Sequence, residues 1–312
     1  MDYIMNPAFL TDFLSSSLRL SIPLIFAAIG VVWSERCGVF NIAIEGCILG
    51  GAFGAAIGTW WFGDPLGGLL MALVIASLLG LLLGGLAVGL GINQLVAGIA
   101  INLLVGGMTA YLARQIMGND ATAPLPGFAV MPIPLLSDIP IVGPVLFSQG
   151  PLAYLAYVIV PLGWMLLYRT PWGLLVRAAG DQPMAVDTAG VNVQRLRFLS
   201  VLGSCMLGGL GGAYIVLSQV HVFTEHMSAG KGFIALGAVI LGRWNPLGAA
   251  IACLAFGMAD ATQLRLQFGS PEIPYQLFST LPFIAALAAL VLFSGKVHAP
   301  AAVGRKFERS GK

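Results

Sequence analysis

The sequence predicts an all-α fold: a polytopic membrane bundle of about eight or nine segments, some of them broken or half-length. Three observations predict it. Of 312 residues, 58% are hydrophobic and only 9% are charged, against about 25% charged in a soluble domain, so too little polar surface exists to face water all round. Several uncharged runs approach the ~20 residues that a helix needs to cross a bilayer. The 41 glycines suit helices that pack backbone to backbone through small residues. The whole chain, 1–312, reads as a single membrane-spanning domain.

Apolar runs place helices near 14–33, 45–62, 67–90, 93–114, 152–168, 198–218, 232–242, 246–264 and 275–294. The chain opens with "MDYIMNPAFL", which has neither a basic leader nor a small-residue cleavage site, so no cleavable signal is expected. The second run closes on Trp60 and Trp61, and the fifth carries Trp164, all read as interfacial anchors. The fourth begins at Asn93-Gln94, where Asn93 serves as helix cap. Between the fourth and fifth, 115–149 is nearly uncharged and rich in proline (Pro124, Pro126, Pro132, Pro134, Pro140, Pro144), which predicts an irregular, packed segment. The seventh run is too short to cross at about 1.5 Å per residue. It is expected to be a half-helix, paired with the eighth around Arg243-Trp244-Asn245-Pro246.

Lysine and arginine set the orientation. With a cytoplasmic C-terminus, that side holds Arg36, Arg169, Arg177, Arg195, Arg197, Arg243, Lys296, Arg305, Lys306, Arg309 and Lys312, eleven of the fifteen basic residues. Arg19, Arg114, Lys231 and Arg265 make up the other four. The largest cytoplasmic connection is then 169–197, and the basic tail 295–312 lies beside anionic membrane lipid. A net charge of +2 implies no nucleic-acid surface. Cys37, Cys47, Cys205 and Cys253 lack CxxC spacing and read as buried thiols.

Polar residues inside the apolar runs mark candidate function, because burying them in lipid is costly. Glu45 follows Asn41 by four residues, so one face carries both if the helix is continuous. Gly38 and Gly46 flank them and allow a break that lines a cavity. The competing structural reading is a lock between Glu45 and Arg36 or the backbone. Asn102, about two turns beyond Asn93, either bonds across helices or lines a path. Asp260 is expected to pair with Arg265 or a helix end. His221, Glu225 and His226 have spacing unsuited to one helix face and no third ligand cluster, so no metal site is expected. No G-x-x-x-x-G-K-[ST] phosphate loop occurs, nor any nucleophile–base pair, so neither ATP binding nor catalysis is expected on this chain.

The stretch "RAAGDQPMAVDTAG", 177–190, encodes a short helix within the 169–197 connection. Asp181 or Gln182 can cap it, Pro183 suits its first turn, and Gly190 can take the left-handed conformation that ends it. About eight residues cannot hold a helix alone in water. This helix needs a surface to dock on.

Extended to "RAAGDQPMAVDTAGVNVQRLRFLSVLGSCMLGGLGGAY", that stretch resembles the coupling region of ABC-importer permeases of the branched-chain amino-acid, simple-sugar and nucleoside branch. "SERCGVFNIAIEG", 34–46, and "FTEHMSAGKGFIALGAVILGRWNPLGA", 223–249, resemble signatures of the nucleoside-type members, and the likeness covers roughly 15–295. The resemblance implies a permease subunit of an ATP-driven importer in the bacterial inner membrane. Its partners would be an ATPase that binds ATP and magnesium, a second and different permease chain, and an external substrate-binding protein. It implies that the short helix is the ATPase contact, with Arg177, Gly180, Asp181, Gln182, Asp187 and Gly190 as the contact residues, while Asn41, Glu45, Asn102 and Phe233 are the candidates for bordering the path. Phe40 and Phe53 are compatible stacking surfaces for a nucleoside. A simple sugar is the alternative cargo. An ion-coupled secondary carrier is the alternative class, for which Glu45 and Asp260 are too few to form a relay.

Overall fold

The structure is a computed structural model describing residues 7–118, 123–269 and 299–307, with isolated positions between 270 and 298. Most of the run expected at 275–294 and half of the tail 295–312 lie outside the described residues. In chain order the helices are α1 (Pro7–Arg36), α2 (Ile44–Phe62), α3 (Pro65–Gly84), α4 (Gln94–Ile116), α5 (Val142–Leu146), α6 (Pro151–Arg169), α7 (Pro171–Asp181), α8 (Pro183–Thr188), α9 (Val193–Tyr214), α10 (Lys231–Leu241) and α11 (Pro246–Gly269). Helices α3 and α9 continue as π-helical turns over Gly85–Gly89 and Ile215–Val220. Among the described residues, six helices are long and apolar enough to cross a membrane, and α10 is an apolar half-length helix as expected.

Helix α1 starts well before the apolar run that predicts it. Its polar residues satisfy themselves locally: the Ser16 and Ser17 hydroxyls donate to the carbonyls of Asp12 and Phe13, each at 2.7 Å. The part of the helix before residue 14 carries the polar Thr11 and exposed Asp12, so a reading by hydrophobicity alone truncates it.

Helix α2 is the centre of the bundle, buried from Ile44 through Thr59 apart from Glu45. Its glycines explain why neighbours come so close. Gly46, Gly50, Gly54 and Gly58 recur every fourth residue and form one stripe, against which α3 and the Asn102 turn of α4 lie. A Cβ on Gly54 would stand 2.8 Å from the Ala72 Cα, and one on Gly58 2.7 Å from the Gly67 carbonyl. On another face, a Cβ on Gly212 of α9 would stand 1.9 Å from the Ile48 carbonyl. Small residues give α9 its place against α1, α2 and α3.

The 123–149 segment is largely irregular, as its prolines predict, but it is mostly exposed where packing was expected, with Leu125, Gly143, Val145 and Gln149 buried. Its short strands β1 (Met131–Pro132) and β2 (Ser148–Gln149) pair antiparallel. The Phe128 N–H donates to the Leu217 carbonyl (2.8 Å) and the Leu125 N–H to the His221 carbonyl (2.7 Å), which pins the segment to the end of α9. At that end Arg114 and Glu225 pair in a two-pronged contact of 2.6 and 2.8 Å.

The opposite end gathers most of the arginines. Arg36 Nε donates to the Trp244 carbonyl (2.8 Å), and its Nη2 to the Arg243 carbonyl (3.1 Å) and the Tyr168 hydroxyl (3.3 Å). Buried Arg197 donates to the Arg305 carbonyl at 2.9 Å, so the 299–307 segment straps across this end.

Candidate functional site

The chain between α1 and α2, residues 37–43, is not helical, so its largely buried backbone groups need partners from elsewhere. They obtain them from side chains of other helices. Gln94 Oε1 accepts the Phe40 N–H at 2.6 Å. Asn102 bridges the break: its Nδ2 donates to the Ile42 carbonyl (2.9 Å) and its Oδ1 accepts the Gly46 N–H (2.8 Å). Asn93 caps α4 by accepting from Leu95 and Val96 at 2.9 and 3.3 Å, the role its position predicts.

The break removes the shared face expected of Asn41 and Glu45. Asn41 is fully buried against α9, donating to the Ser204 hydroxyl at 2.8 Å. Glu45 turns toward α10, where its two oxygens accept the N–H groups of Gly230 (2.8 Å) and Gly232 (2.6 Å). A carboxylate at this position meets the unpaired N–H groups and positive end of the helix. Gly232 is required for the approach, since a Cβ there would stand 2.6 Å from the Glu45 backbone. Of the two locks expected for Glu45, the one with backbone forms and the one with Arg36 does not; Arg36 is engaged by the α10–α11 turn instead.

Glu45, Asn102 and Phe233 border one cavity of about 420 Å³, together with His226 and Ser228. Ligand sites fall in the range of about 300–1,000 Å³. Phe233 presents an exposed ring to this space. Phe53 does not reach it: the ring is buried edge-on against Phe223, centroids 5.6 Å apart.

Asp260 and Arg265 do not pair as expected. The Arg265 guanidinium lies over the rings of Phe9 and Phe13, at 4.4 and 5.3 Å, and the charge nearest in effect to Asp260 is Lys231. Of the three residues in "HVFTEH", His221 packs against Gly127, Glu225 is held by Arg114, and His226 faces Gly106.

At the arginine-rich end, α7 and α8 form two short helices joined at Gln182. Neither Asp181 nor Gln182 caps α8 through its side chain; Asp181 closes α7, and its carboxylate accepts the Ala301 N–H at 3.4 Å. The strap competes successfully for that carboxylate because Pro183 already fills the first turn without an N–H to satisfy. The other end of α8 is as predicted, with Gly190 at φ +85° and the Val191 N–H reaching the Val186 carbonyl at 3.2 Å. Arg177 lies over the Tyr168 ring at 5.0 Å, and Gly180 is buried against the Arg36 carbonyl. Asp181, Gln182 and Gly190 are exposed, and Asp187 lines a pocket of about 220 Å³ with Phe307. Met184, Ala185 and Thr188 are also exposed on α8.

One deeply buried carboxylate escaped the sequence reading. Glu35, 2% exposed, accepts the indole N–H of Trp244. Its signal was present, an acidic residue at the end of an apolar helix, but its partner lies 209 residues away.

Residues 13–288 match the profile of a family described as branched-chain amino acid transport system, permease component. The chain is 36% identical to the guanosine ABC transporter permease protein NupQ of Bacillus subtilis, covering 93% of this chain and 94% of that one. It is 34% identical to the nucleoside ABC transporter permease protein NupC of Lactococcus lactis, covering 95% and 96%. It is 31% identical to the putative glucose ABC transporter permease protein TsgC13 of Haloferax volcanii, covering 91% and 92%. No solved structure matches significantly.

Proposed function

The chain belongs to the branched-chain amino acid transport system permease family, and from that premise we propose that it carries nucleosides inward through a path switched by an ATPase docked on α8. It is an ABC transporter permease, a multi-pass membrane subunit and not an enzyme. An ATPase and a substrate-binding protein accompany permeases of this kind.

The observation that carries the proposal is the cavity bordered by Glu45, Asn102 and Phe233. It offers an aromatic face, on which a base can stack, beside a carboxylate and an amide at a point where α2 and α10 both begin. The nucleoside relatives support the base as cargo. A simple sugar is the second reading, favoured by the glucose relative.

The coupling half of the proposal rests on α8. This helix is six residues long, too short to persist without a surface to hold it, and it shows Met184, Ala185 and Thr188 outward. Pressure on α8 is transmitted to α7, whose Gly180 abuts the end of α1, and the end of α1 grips the α10–α11 turn. On this reading the arginine-rich end and the C-terminus are cytoplasmic, ATP and magnesium bind the partner ATPase, and a second, different permease chain completes the path.

The test is mild-detergent purification from the native host with and without Ala185→Arg plus Ala189→Arg. These two exposed residues lie four apart, so the substitutions leave the bundle's interior untouched. Loss of a co-purifying ATPase in the variant supports docking on α8; an ATPase retained in full rejects it. Uptake of labelled nucleosides and sugars by the intact complex then separates the two cargo readings.

A further inference from the structure

An apolar groove of about 470 Å³ runs along the outside of the bundle between α1, α6 and α9. Its α9 wall is Leu199, Gly203, Met206 and Leu210, one face of the helix. The only side-chain polar group there besides the indoles, the Ser200 hydroxyl, is turned onto the Leu196 carbonyl at 2.9 Å. The occupant must therefore be hydrocarbon.

Length identifies which hydrocarbon. Eleven residues separate Leu199 from Leu210, about 16 Å at 1.5 Å per residue. That is about half of the ~30 Å apolar thickness of a bilayer, the depth of one leaflet. One acyl chain lying in a single leaflet matches this length. At one end Trp33 and Trp172 meet with ring centroids 5.5 Å apart, and Trp172 is 44% exposed. Tryptophans of this kind sit at headgroup level, so this end of the groove opens where a lipid's phosphate lies. Arg195, exposed, stands one turn beyond Leu199 on the same face of α9. A cation there is placed for a phosphate, at the arginine-rich end of the bundle.

We propose that this groove binds one acyl chain of an anionic phospholipid, with Arg195 engaging the headgroup. The site is separate from the cavity at Glu45 and does not depend on the cargo.

Gly203 makes the proposal testable, because a Cβ there would meet nothing within 4 Å. Gly203→Phe should fill the groove without disturbing the helix packing. The protein, purified in mild detergent with its co-purifying subunits, is mixed with dioleoyl phosphatidylglycerol or dioleoyl phosphatidylcholine and read by native mass spectrometry. The wild type should retain a phosphatidylglycerol adduct in preference to phosphatidylcholine by about fivefold, the effect of one surface cation on an anionic lipid. Arg195→Gln should abolish that preference, and Gly203→Phe should lose both adducts. Adducts unchanged in Gly203→Phe, or a preference that survives Arg195→Gln, overturns the proposal. Loss of a co-purifying membrane subunit from Gly203→Phe with lipid adducts intact overturns it as well, since the groove would then hold protein. Should Gly203→Phe fail to accumulate, the surface variant Arg195→Gln decides alone.

Discussion

The indole N–H of Trp244 donates to the carboxylate of Glu35 inside the bundle, joining the last turn of α1 to the turn between α10 and α11. Arg36, the next residue, grips the same turn through the carbonyls of Arg243 and Trp244. Both Arg243 and Trp244 are left-handed, at φ +55° and +52°, a conformation that costs non-glycine residues about 1–3 kcal/mol each unless the surroundings impose it. Glu35 and Arg36 impose it.

Trp244→Phe keeps the ring and removes the donor, leaving a buried carboxylate oxygen without its partner. The expected cost is about 1–3 kcal/mol. It should appear as a lower melting temperature in detergent, and Glu35→Gln in the same background should recover part of the loss. Equal melting of wild type and Trp244→Phe would show that the contact is dispensable.

Glu45→Gln replaces one acceptor with an NH₂ that faces the N–H groups of Gly230 or Gly232. Hydrogen bonds to a charged group are worth about 1.5–3 kcal/mol each, so the loss of one should cost stability of that order, seen as a lower melting temperature in detergent, and slow uptake. Transport by the intact complex at wild-type rate would remove Glu45 from the path.

Asn102→Leu frees the Ile42 carbonyl and the Gly46 N–H together, leaving both without the amide that bridges them. A loss of about 1–3 kcal/mol per orphaned group is expected. Asn102→Asp retains the acceptor for Gly46 but not the donor for Ile42, and thermal melts should rank it between wild type and Asn102→Leu.

Glu225 is held below the ordinary carboxylate value of 4.5 by its hydrogen bond from Arg114. A depressed pKa stabilises the contact above the unperturbed value and is lost as pH falls through the folded one. A spin label at Thr224 should therefore be restrained at neutral pH and become mobile only below pH 4.5. Glu225→Gln should be mobile at every pH, and a label insensitive to both changes would show that the pair does not tether the loop.

Gly212→Ala places a Cβ 1.9 Å from the Ile48 carbonyl, a backbone atom that cannot step aside. The variant should fail to accumulate in the membrane. Gly237→Ala, where a Cβ meets nothing within 4 Å, should accumulate normally, and equal yields would contradict the α2–α9 packing described above.

What was legible in the sequence is what depends on short range. Apolar runs and their glycine content disclosed the bundle and the half-length α10, Asn93 announced the start of α4, and Gly190 announced the end of α8. Caps, turns and periodicities are settled by neighbours within a few residues. Glu45 and Asn102 were visible as polar residues in apolar surroundings, because lipid makes such residues conspicuous whatever their partners.

Which partner each polar group takes was decided only by the tertiary structure. Glu45 had Arg36 nearby in sequence, yet α10 presents two N–H groups to it from 185 and 187 residues away. Asn41, placed beside Glu45 by spacing, faces α9 because the chain breaks between α1 and α2. A largely buried break persists only if other groups satisfy its backbone. The helices that carry those groups arrive through close approaches such as Gly54 on Ala72 and Gly212 on Ile48, which no local pattern specifies. Local spacing determines which residues share a face; the packing of faces determines what that face meets.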